Sequence, residues 1–172
     1  MKVFIAQSID GYIAGPDGSL EHMEGFTDSD FGYDAFIAGV DGIVMGRTTF
    51  DAFYEAHGWP YPPELPAMII THRPLPRGVP AGMRASEDLA AVQAEFPNAY
   101  VDGGHVINQF LARGAIDEVH LFTLPILLGG GIRLFPEGAS GVEHWRLLGS
   151  RAYPCGTVEN HFAIGPDAKK SV

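Results

Sequence analysis

The sequence predicts a single α/β domain closed by a C-terminal antiparallel hairpin. Two observations carry this. Short apolar runs alternate with helical patterns along the chain, as strand–helix–strand units require. Near the end, only two residues separate Tyr153 from Gly156 between two strand-like runs, about 145–153 and 157–164, which suits a hairpin.

The elements follow in order. Lys2 to Ala6 reads as the first strand, and residues 8–29, rich in Gly, Pro, Asp and Ser, as a long loop. Within 30–40, Tyr33, Phe36, Ile37 and Val40 share one helix face. Gly42 to Met45 reads as a buried strand, and Phe50, Phe53 and Tyr54 mark a helix after it. The stretch WPYPPELP (59–66) is no helix interior, because proline removes a donor and clashes. Ala67 to Ile70 is the next strand, with a short one expected at 82–85. Ser86 is the expected cap of a helix whose buried face is Leu89, Val92 and Phe96. Tyr100 and Val101 form a strand; Val106, Ile107, Phe110 and Leu111 mark a helix that Gly114 ends. Val119 to Leu124 is a strong strand. Residues 1–164 are expected to form one domain and 165–172 a flexible tail.

Composition narrows the function. A net charge of -10 with only 11 Lys and Arg works against nucleic-acid binding, which rests on basic residues meeting phosphates. The single cysteine, Cys155, cannot form an internal disulfide. The start of the chain lacks a signal-peptide pattern, and the longest apolar stretch is broken by Pro125 and Gly129 to Gly131. A cytoplasmic protein without membrane contact is expected. No histidine stands at metal-ligand spacing from another, so no metal is expected.

Three strand ends carry similar chemistry: IVMGRTTF (43–50), MIITHRP (68–74) and YVDGGHVI (100–107). Ligands of parallel α/β sheets bind beyond the carboxyl ends of strands, where helix N-termini present free N–H groups to anions. Arg47 and Arg73, with Thr48, Thr49 and Thr71, suit an added phosphate, because the guanidinium fork pairs two oxygens at once. Each turn alone also reads as a simple bend or a solvated helix start; their recurrence is the signal. Neither a phosphate-loop pattern nor a full G-x-G-x-x-G is present.

The motifs SIDGYIA (8–14), DGIVMGRTTF (41–50), VDGGH (101–105) and DEVHLFTLPILLGGGIRLF (117–135), in this order, resemble the dihydrofolate reductase-like superfamily. The resemblance is strongest to the branch holding the reductase domain of riboflavin biosynthesis, and it spans about 1–164. It implies a mainly parallel central sheet flanked by helices, and a dimeric oxidoreductase with NADPH lying across the strand ends. By it, Gly46, Arg47 and Thr48, with Thr49 beside them, meet the adenosine phosphates, and Thr71 and Arg73 the adenine and 2′-phosphate. Gly103, Gly104, His105 and Val106 line the pyrophosphate, and Ala6, Ile13 and Ala14 pack beside the nicotinamide. Related proteins often carry a cis peptide at the glycine pair. The implied activity is hydride transfer to a C=N bond of a small heterocycle, as in 5-amino-6-(5-phosphoribosylamino)uracil reductase. The alternatives are a dihydrofolate or pterin reductase, and a binding module without turnover.

Reduction of a C=N bond needs a proton donor. Asp30, placed by spacing on the inward face of the first helix, is one candidate; the alternative is a cap, shared with Asp28 or Ser29. Asp10 is the second candidate, or a turn residue before Gly11. Ser8 and His22 are candidate substrate contacts. The chain departs from its relatives in two places. The loop GPDGSLEHMEGFTDSD lacks any Lys or Arg, which disfavours a phosphorylated substrate unless Arg133 or Arg151 folds in. Asp102 stands where folate reductases begin a run of three glycines. The zinc-deaminase pattern H-x-E with P-C-x-x-C is missing, which excludes deamination.

Overall fold

Ile43, Val44 and Met45 are consecutive and all 0% exposed. Successive strand side chains point to opposite faces, so this strand is covered on both sides, as parallel sheets are. The computed structural model describes residues 1–26, 30–137 and 144–165. Its strands are β1 (Lys2–Ser8), β2 (Tyr12–Ala14), β3 (Ile43–Gly46), β4 (Ala67–Ile70), β5 (Met83–Ser86), β6 (Tyr100–Asp102), β7 (Glu118–Leu124), β8 (Ile132–Arg133), β9 (Arg146–Ala152) and β10 (Val158–Ala163). The helices are α1 (Tyr33–Ile37), α2 (Arg47–His57), α3 (Leu89–Glu95) and α4 (Gly104–Ala112).

The main sheet has the order β5-β4-β3-β6-β1-β7-β10-β9. It is parallel from β5 to β7, and antiparallel where β10 meets β7 and β9. This is the predicted α/β architecture with its terminal hairpin. Alternation along the strands feeds two cores. Val3, Val44, Met68 and Val101 pack with Val106, Ile107 and Phe110 of α4 and Val92 of α3. Their neighbours Phe4, Ile43, Met45, Ile69 and Tyr100 pack with Phe36 of α1 and Phe50 of α2. Burying each such side chain contributes about 1.5–3 kcal/mol. Beyond β10 the covering ends: every residue of edge strand β9 is exposed, including Leu147 and Leu148.

Several local expectations change. The loop expected over 8–29 contains β2 and a 3-10 turn, Glu21–Met23. β2 pairs with β8, a partner too distant in sequence for local patterning to reveal. The first helix spans only Tyr33–Ile37, because Phe31 and Gly32 both take positive φ, 56° and 83°, which no helix interior accepts. The cap of α3 is Asp88, whose Oδ1 accepts the N–H groups of Ala90 and Ala91, both at 3.0 Å. Ser86 acts one step earlier, its hydroxyl accepting the Asp88 N–H at 3.1 Å. Gly114 does end α4, at φ 65°, with its N–H returned to Leu111 O. The expected caps Asp28 and Ser29 lie outside the described residues, as does all but Gly165 of the expected tail.

Candidate functional site

The carboxyl ends of β3, β4 and β6 converge on one cavity of about 410 Å³. Gly46, Arg47, Thr48 and Thr49 line it from the first end, Thr71, His72 and Arg73 from the second, and Gly103, His105 and Val106 from the third. Ile70, Glu87, Leu89 and Gln109 complete the wall. Helices α2 and α4 both begin here, and neither has a side-chain cap, so their first N–H groups stay available. Glycine lets the two helix starts approach. A Cβ on Gly46 would meet Val106 Cγ2 at 3.0 Å, and one on Gly103, at φ 87°, would run into Thr49 Oγ1. Gly104 faces away from the cavity: it is buried, and its Cβ position lies 2.8 Å from Ile13 Cδ1. The Gly103–Gly104 peptide is trans.

The arginines of the cavity are held by an acid that lies just outside the three strand-end motifs. Asp51, one helical turn after Arg47, accepts from Arg47 Nε at 2.6 Å and from an Arg73 terminal nitrogen at 3.4 Å. A second Arg47 nitrogen donates to Pro74 O at 3.0 Å. The i, i+4 spacing of Arg47 and Asp51 was the available signal.

Asp102, which the sequence marks only as a departure from the folate reductases, lies on the far side of the glycine turn. Its Oδ2 accepts the Tyr61 hydroxyl at 3.0 Å and its Oδ1 accepts the Gly103 N–H at 2.7 Å. Burial raises its pKa from the ordinary aspartate value, against the pull of those hydrogen bonds. The surrounding phenols respond in kind. Burial first, then the Asp102 charge, pushes Tyr33 up to about 12 and Tyr61 and Tyr100 well above the usual tyrosine value. Its signal was its place, directly before a glycine pair at a strand end.

The two predicted acids stand elsewhere. Asp10 is a clamp: it accepts the Ser8 hydroxyl at 2.6 Å and the N–H groups of Leu128 and Gly129 at 3.1 and 2.8 Å. The Ser8 bond, with help from the two amides, holds its pKa at about 2. Asp10→Asn is therefore expected to loosen the loop after β7, read as faster hydrogen exchange at the Leu128 and Gly129 amides. Unchanged protection would show the carboxylate to be dispensable. Asp30 is exposed, and it lies ahead of α1 rather than on its inward face. It forms a turn, Oδ1 accepting from Gly32 N at 3.0 Å and its carbonyl from Tyr33 N at 2.8 Å.

The remaining predicted residues divide. Ser8 is fully buried and spent on Asp10 and on the Tyr12 N–H, so it presents no hydroxyl to a ligand. His22 Nε2 is buried without a hydrogen-bond partner among the described residues. Ala6 pairs with Phe122 in the sheet, Ile13 packs on Gly104, and Ala14 is buried, all outside the cavity. Of the distant arginines, Arg133 folds over the Tyr12 ring at 4.7 Å and Arg151 over Tyr153 at 4.8 Å.

Residues 93–158, which include the third strand end, match the RibD C-terminal domain. The chain is 31% identical over 159 residues to the uncharacterized protein YwjB of Bacillus subtilis, covering 88% of this chain and 90% of YwjB. A crystal structure from Shewanella sp. PV-4, assigned to riboflavin biosynthesis by name, is 32% identical with a TM-score of 0.84. That match covers 94% of this chain and 97% of the Shewanella chain. Acinetobacter baumannii RibD shares the fold at 15% identity and a TM-score of 0.68, over 94% of this chain and 56% of its own length. The chain therefore belongs to the RibD C-terminal domain family, within the dihydrofolate reductase-like superfamily.

Proposed function

We propose that the chain is an NADPH-dependent reductase that delivers hydride to a C=N bond of a small heterocycle, in the manner of 5-amino-6-(5-phosphoribosylamino)uracil reductase. The observation that carries this is the meeting of three strand ends at one cavity, with Arg47 and Arg73 tethered at its wall by Asp51. Its size suits part of a dinucleotide, since small-ligand sites run from roughly 300 to 1,000 Å³. Free N–H groups of α2 and α4 would take phosphate oxygens, and the two guanidinium groups the additional 2′-phosphate. Ile70, Leu89 and Val106 offer apolar wall to the adenine.

Bound NADPH would supply the hydride. The proton for the nitrogen of the reduced bond is assigned to Asp102. Asp10 is held ionised and Asp30 stands in solvent, whereas burial keeps Asp102 protonated to higher pH beside the glycine turn. Tyr61, itself kept protonated, fixes the acid's orientation.

Titration of the purified protein with NADPH, followed by cofactor fluorescence, is expected to saturate at micromolar concentrations. No saturation at millimolar cofactor would refute the reading. A screen of the riboflavin-pathway pyrimidine, dihydrofolate and other pterins for NADPH oxidation then separates a reductase from a binding module without turnover.

A further inference from the structure

We propose that Glu118, His120 and His161 form a site for one divalent transition cation of the zinc class, distinct from the cofactor cavity. The cavity sits at the carboxyl ends of β3, β4 and β6, whereas these residues lie along the β7–β10 seam. The antiparallel register places His161 directly opposite His120, with Glu118 two residues earlier on the same face of β7. One donor atom from each of the three residues lies within 4.8 Å of the other two. A tetrahedral ion with bonds of about 2.0–2.1 Å needs its donors roughly 3.3 Å apart, which small side-chain rotations reach.

The hydrogen bonds around the triad orient it as ligands are oriented. His120 Nδ1 lies 2.8 Å from Glu159 Oε1, and the Tyr153 hydroxyl holds the other Glu159 oxygen at 2.9 Å. A carboxylate on Nδ1 selects the tautomer whose Nε2 lone pair is free, the arrangement of metal-binding histidines. That Nε2 faces Glu118 Oε2 at 4.0 Å, and His161 Nε2 lies 3.1 Å from the same oxygen. The two imidazoles stack with centroids 3.9 Å apart, and Phe4 and Phe36 pack on the His120 ring. Lys2 pairs with the other Glu118 oxygen at 3.6 Å, so the oxygen facing the imidazoles is left for the ion. Imidazole and carboxylate donors suit zinc, cobalt or nickel, and the three side chains remain 18–33% exposed, so an ion and a completing water can enter. A bound ion would cross-link β7 to β10 and so tie the terminal hairpin to the sheet.

The test uses the full chain without a tag, stripped by chelator and titrated with Zn²⁺ against a chromogenic competitor. One equivalent per chain with a micromolar or tighter Kd is expected, and Co²⁺ should give the visible absorption of a low-coordinate site. His161→Ala and Glu118→Gln are expected to weaken binding at least about tenfold and abolish the Co²⁺ band. Glu159→Gln, which removes the orienting carboxylate, should also cost about tenfold. Replacement of the exposed His144 should leave zinc binding as it was. No zinc uptake at about 100 µM, or wild-type binding and spectrum in the folded Glu118→Gln protein, would overturn the proposal.

Discussion

Replacing Arg47 and Arg73 together by alanine is expected to weaken NADPH binding on the order of 100-fold and to erase most of its preference over NADH. A hydrogen bond to a charged group contributes about 1.5–3 kcal/mol, and about 1.4 kcal/mol is a factor of ten. The Arg47 side chain is 18% exposed and keeps most of that contribution; Arg73, at 54%, is screened and keeps less. The loss is deepened by Asp51, which would remain without its two cations beside an incoming phosphate. Fluorescence titrations with both cofactors measure the effect, and the gap to wild type should narrow as salt is raised. Retention of NADPH affinity within threefold would remove the phosphate-binding role of this wall.

The second large effect is predicted for Asp102→Asn. Turnover should fall about 10²–10⁴-fold, the range a positioned general acid supplies, while the NADPH Kd stays near wild type. Asparagine keeps an oxygen for the Gly103 N–H but has no acidic proton. For a group whose folded pKa is raised, the protonated form favours folding, and that contribution is lost as pH rises through the folded pKa. Wild-type turnover should therefore decline as pH rises through that value, with stability declining over the same interval, and the variant should lack both slopes. Above that pKa the variant should be at least as stable as wild type, since it no longer buries a charge. Thermal melts across pH check this without any substrate. Turnover equal to wild type would exclude Asp102 as the donor, and matching stability profiles would show that its burial is not felt.

These two predictions differ in how far the sequence foreshadowed them. Gly46, Arg47, Thr48 and Thr49 are contiguous, as are Thr71 to Arg73 and Gly103 to Val106; each group follows an apolar run. A parallel sheet delivers strand ends to one edge, so local pattern plus one topological rule brought the three groups together. Asp102 could be read as an unusual residue but not as an acid with a raised pKa. That property comes from burial, which prevails over hydrogen bonds from Tyr61 of the proline-rich linker, Tyr100 of its own strand and the Gly103 amide. The placement of Asp30 changed for a local reason. Helical spacing placed it inward, but the positive φ of Phe31 and Gly32 breaks the helix before reaching it.

From the sequence alone came the α/β class, the closing hairpin and the three strand ends that meet at the cavity. All of these rest on periodicities and turn residues that act over a few neighbours. Tertiary structure alone decided what depends on distant partners. It made Asp10 a clamp through Leu128 and Gly129, and it paired β2 with β8. It also set His120 against His161 across a strand register that no local spacing encodes. The physical reason is the same throughout: burial, charge and hydrogen-bond partners are properties of a place in the fold, and the chain specifies that place only when it has closed.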